Sequence, residues 1–223
     1  MFDAKNLDLR LGIVGAGKIG TAVARAAVAA GYDVAISGSG PVERIALTIE
    51  VLVPGARAAT TEDVIKHSDV VVLAVPTHRF RELDSDAFAG KILVDAMNYW
   101  EPIDGIDPEL ASAPRGTSVV VAGHFPSARV VKSLNHLGYH QFDEAKRPLE
   151  ASDRVAIAAA SDDSDALASV MALIEALGFD AVDAGSLEAG VALGPGGPAF
   201  GVAHSAPDLA ASLASGASDR ASA

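Results

Sequence analysis

Cysteine is absent from the 223 residues of the chain. This absence excludes disulfides, thiolate metal sites and a cysteine nucleophile, and it fits a reducing compartment. Aromatic residues make up only 5% of the chain although half of its residues are hydrophobic, so the apolar content is mainly alanine and aliphatic side chains. Such a composition suits helices that pack against a buried parallel sheet.

Basic residues are also scarce, with 17 lysines and arginines against 29 acidic residues and a net charge of -12. This balance argues against nucleic acid and anionic membranes as general partners. No apolar run approaches the roughly 18 residues that a membrane-spanning helix needs. The first residues, Met1 to Lys5, do not resemble a secretory signal. We therefore expect a cytoplasmic protein with no nucleic-acid or membrane partner.

The N-terminal residues show the pattern of one strand–helix–strand unit. Leu9 to Val14 forms a short apolar run that predicts a strand. Apolar residues at helical spacing follow from Ile19 to Ala30, and Gly31 stands where a C-terminal glycine commonly ends a helix. Tyr32 to Ser37 predicts the second strand. The two strands are expected to be parallel and joined by a right-handed crossover.

The same alternation continues to residue 183. Further strands are predicted over Val70 to Val75, Ile92 to Asp95, Val130 to Val131, Arg154 to Ala160 and Phe179 to Asp183. Helices are predicted over Thr61 to Lys66 and over Asp165 to Leu177. Thr61 is the expected N-cap of the first of these helices. The pattern leaves residues 118–122 open between a strand and a helix. Alternating strands and helices predict an α/β fold with a Rossmann-type, doubly wound parallel sheet and a small C-terminal α/β extension.

The chain divides accordingly into three predicted segments. Residues 1–135 form the dinucleotide-binding domain, and residues 136–203 form a small extension packed on it. Residues 204–223 are rich in alanine, serine and aspartate, which predicts a flexible tail.

A glycine-rich loop joins the first predicted strand to the first predicted helix. Its residues are Gly15, Ala16, Gly17, Lys18, Ile19 and Gly20. This G-x-G-x-x-G pattern is informative here because a strand precedes it, a helix follows it and a second strand lies beyond. The first glycine permits a tight turn, the second lets a pyrophosphate approach the backbone, and the third lets the helix pack closely on the strand. We therefore predict that the loop binds a dinucleotide at the N-terminus of the helix.

The end of the second predicted strand indicates which dinucleotide is bound. NAD-preferring proteins usually carry aspartate or glutamate there, whereas this chain has Ser37, Gly38 and Ser39. No carboxylate would repel a 2′-phosphate, two hydroxyls could receive one, and Arg44 could reach back toward it. The sequence therefore favours NADP over NAD.

Several segments together resemble a known family. They are the glycine loop with Gly12 to Val14 before it, Ala74-Val75-Pro76, Val94 to Trp100, Val130 to Gly138, and Asp183 to Leu187. They resemble the NADP-binding family of the oxidoreductases that depend on the deazaflavin coenzyme F-420. The metalloreductase domains of six-transmembrane ferric reductases are similar, so the resemblance specifies a fold and a cofactor better than an acceptor.

The resemblance implies a role for further residues. Ser37 and Ser39 would face the adenosine end, while Ala74, Val75 and Pro76 would line the nicotinamide side. Asn98 would lie at the next strand end. Asn135 and His136 would approach the cleft of the hydride acceptor and are the candidate catalytic residues, with His136 favoured as a structural or pocket-wall residue because hydride transfer needs chiefly alignment.

These observations lead to two functional hypotheses. The first is an NADP(H)-dependent oxidoreductase that transfers a hydride between NADPH and a planar small-molecule acceptor. The resemblance implies the deazaflavin coenzyme F-420 as this acceptor, and a flavin, a quinone or a small imine are alternatives. The second is a non-catalytic, NADP(H)-binding redox-sensor domain. The histidines His124, His136 and His140 are not spaced as metal ligands, so no metal is expected. A homodimer is a further expectation.

Overall fold

The computed structural model describes residues 9–221, with side chains to residue 216. Residues 1–8 of the predicted first domain and residues 222–223 of the predicted tail lie outside this range. The strands are β1 Leu11–Val14, β2 Val34–Ser37, β3 Arg57–Ala58, β4 Val70–Leu73, β5 Ile92–Asp95, β6 Arg129–Ser133, β7 Ala156–Ala160 and β8 Asp180–Asp183. The α-helices are α1 Lys18–Ala29, α2 Val42–Leu52, α3 Thr61–His67, α4 Glu101–Asp104, α5 Pro108–Ala111, α6 Thr117–His124, α7 Tyr139–Glu144, α8 Ser164–Ala176 and α9 Ala206–Ala221.

All described strands belong to one sheet in the order β3-β2-β1-β4-β5-β6-β7-β8. Every neighbouring pair is parallel except β6 and β7, which are antiparallel. The strand order reverses between β1 and β4, and a crevice for ligands opens at such a switch point outside the carboxyl ends of the strands. The prediction of a Rossmann-type α/β fold is confirmed, and the C-terminal extension adds β7 and β8 to the same sheet.

Helices cover both faces of the sheet, which explains the near-continuous apolar strands. All four residues of β1, β2, β4 and β5 are buried. Along β4, Val70 and Val72 pack on the face that carries α1 and α8, whereas Val71 and Leu73 pack on the face that carries α3 and α6. Because a strand alternates its side chains between the two faces, both sets must be apolar.

Three local expectations are settled or corrected by the structure. Residues 118–122 lie in the helix α6. The N-cap of α3 is Thr60 and not Thr61, because the Thr60 hydroxyl accepts the backbone N–H of Asp63 at 3.1 Å.

The flexible tail expected from residue 204 is replaced by α9. Leu209 of this helix is fully buried beside Val182 of β8, since apolar side chains at a spacing of three and four residues give α9 one face that packs on the sheet.

Among the residues described, none of the helices is long and apolar enough to cross a membrane.

Candidate functional site

The three loop glycines are required for different physical reasons. Gly15 has a φ of 120°, and a Cβ there would lie 2.3 Å from the carbonyl oxygen of Ala74. A Cβ on Gly20 would lie 1.8 Å from the carbonyl oxygen of Gly15, so Gly20 allows α1 to pack against the loop. A Cβ on Gly17 would meet no atom within 4 Å. Nothing in the described protein therefore requires a glycine at residue 17, and the open space before it is left for a ligand.

The N-terminus of α1 faces the same open space. Gly17 is the N-cap and provides no side chain to cap the helix. The first backbone N–H groups of a helix have no partner within it, and together with the helix dipole they favour an anion. The side chain of Lys18 points elsewhere, because its Nζ lies 4.8 Å from the ring centre of Tyr139. Lys18 and Ile19 can thus contribute to a phosphate site through their backbone.

A cleft of about 400 Å³ runs from the glycine loop along the strand ends. Of the predicted cofactor-binding residues, it brings together Gly15, Ala16, Gly17, Ser37, Gly38, Ser39, Ala74, Val75 and Pro76. Lys18, Ile19, Gly20, Arg44 and Asn98 are not part of its lining. The cleft thus joins the loop after β1 with the loops after β2 and β4, as a dinucleotide site at the switch point requires.

The end of the cleft beside Ser37 and Ser39 contains residues that the sequence did not identify. Thr61, at the start of α3, donates its hydroxyl to the Ser37 hydroxyl at 3.1 Å and so orients this buried serine. Arg79 lines the cleft, and its Nη2 lies 2.7 Å from Oε2 of Glu82. The side chain of Arg44 lies against Gly40, which follows Ser39 of the cleft. A Cβ on Gly40 would lie 3.3 Å from Nη1 of Arg44. An arginine three residues after Pro76 was the signal that could have identified Arg79.

Outside the lining of the cleft, two asparagines hold the loops after β5 and β6 together. The side-chain amide of Asn98 donates to the backbone carbonyl of Asn135 at 2.8 Å. The amide of Asn135 donates to Oδ1 of Asn98 at 2.9 Å and to the carbonyl of Leu193 at 2.7 Å. Leu134 has a φ of 62°, and such strain in a residue other than glycine persists where the surrounding structure enforces it. Asn98 and Asn135 are therefore brought together, and their described contacts are with the protein itself.

His136 lies inside the protein and not on the cleft surface. It is 1% exposed, and its Nε2 accepts the backbone N–H of Ala158 at 3.0 Å. Burial lowers the pKa of the imidazole to about 4, and the neighbouring His204 and Lys132 act in the same direction. The ring is therefore neutral at pH 7 and ties the segment after β6 to the middle of β7, which agrees with a structural role.

Removing the His136 ring should affect stability more than turnover. His136→Ala leaves the Ala158 N–H without an acceptor and opens a cavity, so we expect a loss of about 2–4 kcal/mol of unfolding free energy. Turnover per folded molecule should fall by less than about tenfold, since general acid–base catalysis is typically worth about a hundredfold or more. His136→Gln, whose amide oxygen can accept the same N–H, is the matched control. A thousandfold loss of turnover with intact cofactor binding would instead make His136 a catalytic acid or base.

Comparisons with known proteins agree with this geometry. Residues 10–99 match the family described as NADP oxidoreductase, coenzyme F420-dependent. A hypothetical protein from Sinorhizobium meliloti is 27% identical over 88% of this chain and 95% of its own, with a TM-score of 0.77. A protein from Arthrobacter sp. FB24, provisionally named an F420-dependent NADP reductase, is 25% identical over 82% of this chain and 87% of its own, with a TM-score of 0.69.

A more distant structure shares the fold. An imine reductase from Myxococcus stipitatus in complex with NADP+ is 18% identical over 82% of this chain and 58% of its own, with a TM-score of 0.55. No curated protein sequence matches the chain.

The fold, the glycine cradle and the family match define an NADP-dependent oxidoreductase. The resemblance to the coenzyme F-420-dependent NADP oxidoreductases is confirmed by the match over residues 10–99.

Proposed function

We propose that this protein transfers a hydride between NADPH and a planar acceptor, a deazaflavin of the coenzyme F-420 type or a flavin. The open cradle at Gly17 is the observation that carries the proposal, because the described protein leaves that space empty at an uncapped helix N-terminus. The deazaflavin is favoured over the flavin by the family that residues 10–99 match.

In this proposal the residues of the chain bind NADPH and align it with the acceptor, and the hydride transfer does not depend on an acid–base pair. The backbone N–H groups at Gly17 and the start of α1 hold the pyrophosphate, and Ser37 and Ser39 face the adenosine. Ala74, Val75 and Pro76 support the nicotinamide ring, which supplies the hydride when NADPH is bound. Alignment of the two rings and exclusion of water are the protein's main contributions to such a reaction.

We further propose that Arg79, and not Arg44, binds the 2′-phosphate of NADPH. Arg79 lies in the wall of the cleft with Ser37 and Ser39, and its exposed pairing with Glu82 can be exchanged for a phosphate at little cost. An arginine binds phosphate through two parallel hydrogen bonds, which are stronger than neutral ones. Arg79 thus supplies the cation that the Ser37-Gly38-Ser39 turn lacks.

Arg79→Ala should weaken NADPH binding by about 10- to 100-fold, the range that corresponds to a charge-assisted hydrogen bond of roughly 1.5–3 kcal/mol. NADH binding should change little, because NADH has no 2′-phosphate. Arg44→Ala is the matched control, and we expect it to leave both affinities within about twofold. Calorimetric titration of each variant with both dinucleotides makes the comparison. Equal losses for NADPH and NADH would mean that Arg79 does not contact the phosphate.

The acceptor is tested by steady-state oxidation of NADPH with coenzyme F-420, a flavin, a quinone and a cyclic imine in parallel. One NADPH should be oxidised for each deazaflavin that takes up the hydride and a proton. Gly17→Val, which should not bind NADPH, supplies the blank rate. Binding of NADPH without oxidation by any acceptor would instead support the non-catalytic redox-sensor domain.

The homodimer and the cytoplasmic location stay predictions. Light scattering of the purified protein checks the first, and fractionation of the source cells checks the second.

A further inference from the structure

A buried ion pair joins β5 and β6 outside the dinucleotide cleft. Asp95 and Lys132 are opposite each other in the sheet register, and their side chains are 1% and 3% exposed. Nζ of Lys132 lies 3.4 Å from Oδ2 of Asp95 and also donates to the carbonyl oxygen of Met97. A buried ion pair is often no more stable than a well-packed apolar pair, so stability alone does not account for these charges.

The carboxylate is satisfied by its neighbours, whereas the ammonium is not. The Ser118 hydroxyl donates to Oδ2 of Asp95 at 2.7 Å, and the Met97 N–H donates to Oδ1 at 3.0 Å. A lysine ammonium carries three N–H donors. Its acceptors among residues 9–221 are Met97 and Asp95, which leaves one N–H of Lys132 without a protein acceptor.

Lys132 forms part of the wall of a second pocket, of about 170 Å³. A water molecule occupies about 30 Å³ in the liquid, so the pocket has room for a group of roughly five non-hydrogen atoms. Gly190 closes over the aliphatic part of Lys132, since a Cβ on this glycine would lie 3.0 Å from its Cβ and Cγ. The glycine thereby holds the lysine side chain in place beside the pocket.

The N-terminus of α6 adds backbone donors to this pocket. Helix α6 begins here with Thr117 and Ser118, and its N-cap, Gly116, offers no side-chain acceptor. The first N–H groups of the helix are therefore unpaired within it. The Asp95 oxygens already accept from the Ser118 hydroxyl and the Met97 N–H. An oxygen acceptor of a ligand could therefore pair with the remaining N–H of Lys132 and with the backbone N–H groups of α6.

We propose that this pocket binds a carboxylate or carbonyl oxygen of the hydride acceptor, with Lys132 and the N-terminus of α6 as donors. The assignment of that oxygen to the acceptor rests on the proposed function. Tyr99, which lines the pocket, directly follows Asn98 at the end of β5. Asn98 is hydrogen-bonded to Asn135, which the resemblance places near the acceptor cleft, so the pocket adjoins that side of the protein.

The test uses acetate and acetamide, which have the same shape and differ in charge. Each is titrated into ¹⁵N-labelled protein without dinucleotide at constant ionic strength, and the amide signals of Thr117 and Ser118 are followed. We expect saturable shifts with acetate. Acetamide binding with similar affinity would identify a carbonyl site, and preference for acetate would identify a carboxylate site. The absence of saturable shifts with both probes would overturn the proposal.

Lys132→Met keeps the side-chain length and removes the charge, and it should weaken acetate binding by about tenfold or more. Thr117→Val retains the backbone N–H that the proposal uses and removes only the hydroxyl, so acetate binding should stay within about threefold. Arg115→Ala is the control, because Arg115 is an exposed cation paired with Glu188 at 2.8 Å and does not line the pocket. It should leave acetate binding within about twofold.

Unchanged acetate affinity in Lys132→Met would contradict the proposal. If that variant does not fold, the titrations of the unmodified protein decide, because the absence of saturable shifts at Thr117 and Ser118 overturns the proposal. Dinucleotide binding to the unmodified protein is measured separately by calorimetry. Failure of the acetate site and failure of the proposed NADPH site are therefore distinguishable.

Discussion

Gly17→Val should lower the affinity for NADPH by about a hundredfold or more while the protein stays folded. The valine side chain would occupy the space where a pyrophosphate must approach the backbone. The described protein has no atom within 4 Å of a Cβ at this position, and Gly17 has a φ of -80°, which other residues adopt readily. The substitution therefore conflicts with a ligand and not with the fold. Calorimetric titration measures the affinity, and circular dichroism measures the thermal midpoint.

Gly123→Val is the matched control for this prediction. Gly123 is an exposed residue of α6 at which a Cβ also meets no atom within 4 Å, but it lies outside the cleft. We expect its affinity for NADPH to equal that of the unmodified protein. NADPH binding by Gly17→Val with unchanged affinity would mean that the glycine loop is not the pyrophosphate site.

Gly20→Ala should produce the opposite result, a large loss of stability. A Cβ at this position would lie 1.8 Å from the carbonyl oxygen of Gly15, which is backbone and cannot rotate away. Helix α1 must shift from the loop, and overpacking of this kind costs about 1–3 kcal/mol and occasionally more. We expect a loss at the upper end of that range, measured by urea unfolding, with a displaced phosphate site and weaker NADPH binding as its consequence.

The comparison of the two variants separates two reasons for a glycine in one loop. Gly17→Val is expected to lose binding at nearly constant stability, whereas Gly20→Ala loses stability first. A Gly20→Ala protein as stable as the original would show that α1 can move away from β1 without cost. The close packing described for this loop would then not be what requires glycine at residue 20.

The sequence alone was sufficient for the fold class and for the glycine loop of the candidate cofactor site. The strands are short apolar runs because both sheet faces are covered, and the spacing of Gly15, Gly17 and Gly20 expresses backbone constraints that act within a few residues. The absence of a carboxylate after β2 could be recognised from the sequence for the same reason. Such local requirements leave a local pattern in the chain.

Contacts between distant residues could not be inferred in this way. The position of Arg79 three residues after Pro76 is a signal in the sequence, but that Arg79 and not Arg44 lines the cleft depends on how the loops after β2 and β4 come together. Residues 118–122 were ambiguous because three consecutive valines favour a strand, and α6 forms because the sheet face beside β6 needs a helix to cover it. The C-terminal residues read as a tail because only Leu209 and Leu213 mark the apolar face of α9.

The sequence by itself determined that a glycine loop follows the first strand of a mostly parallel sheet, since that loop depends on neighbouring residues and on the conformational freedom of glycine. The tertiary structure alone decided that His136 is buried against Ala158, that Asn98 meets Asn135, and that Lys132 pairs with Asp95 beside a second pocket. Each of these pairs is at least 22 residues apart in the chain. Their meeting depends on strand order and register, which no single segment of the sequence encodes.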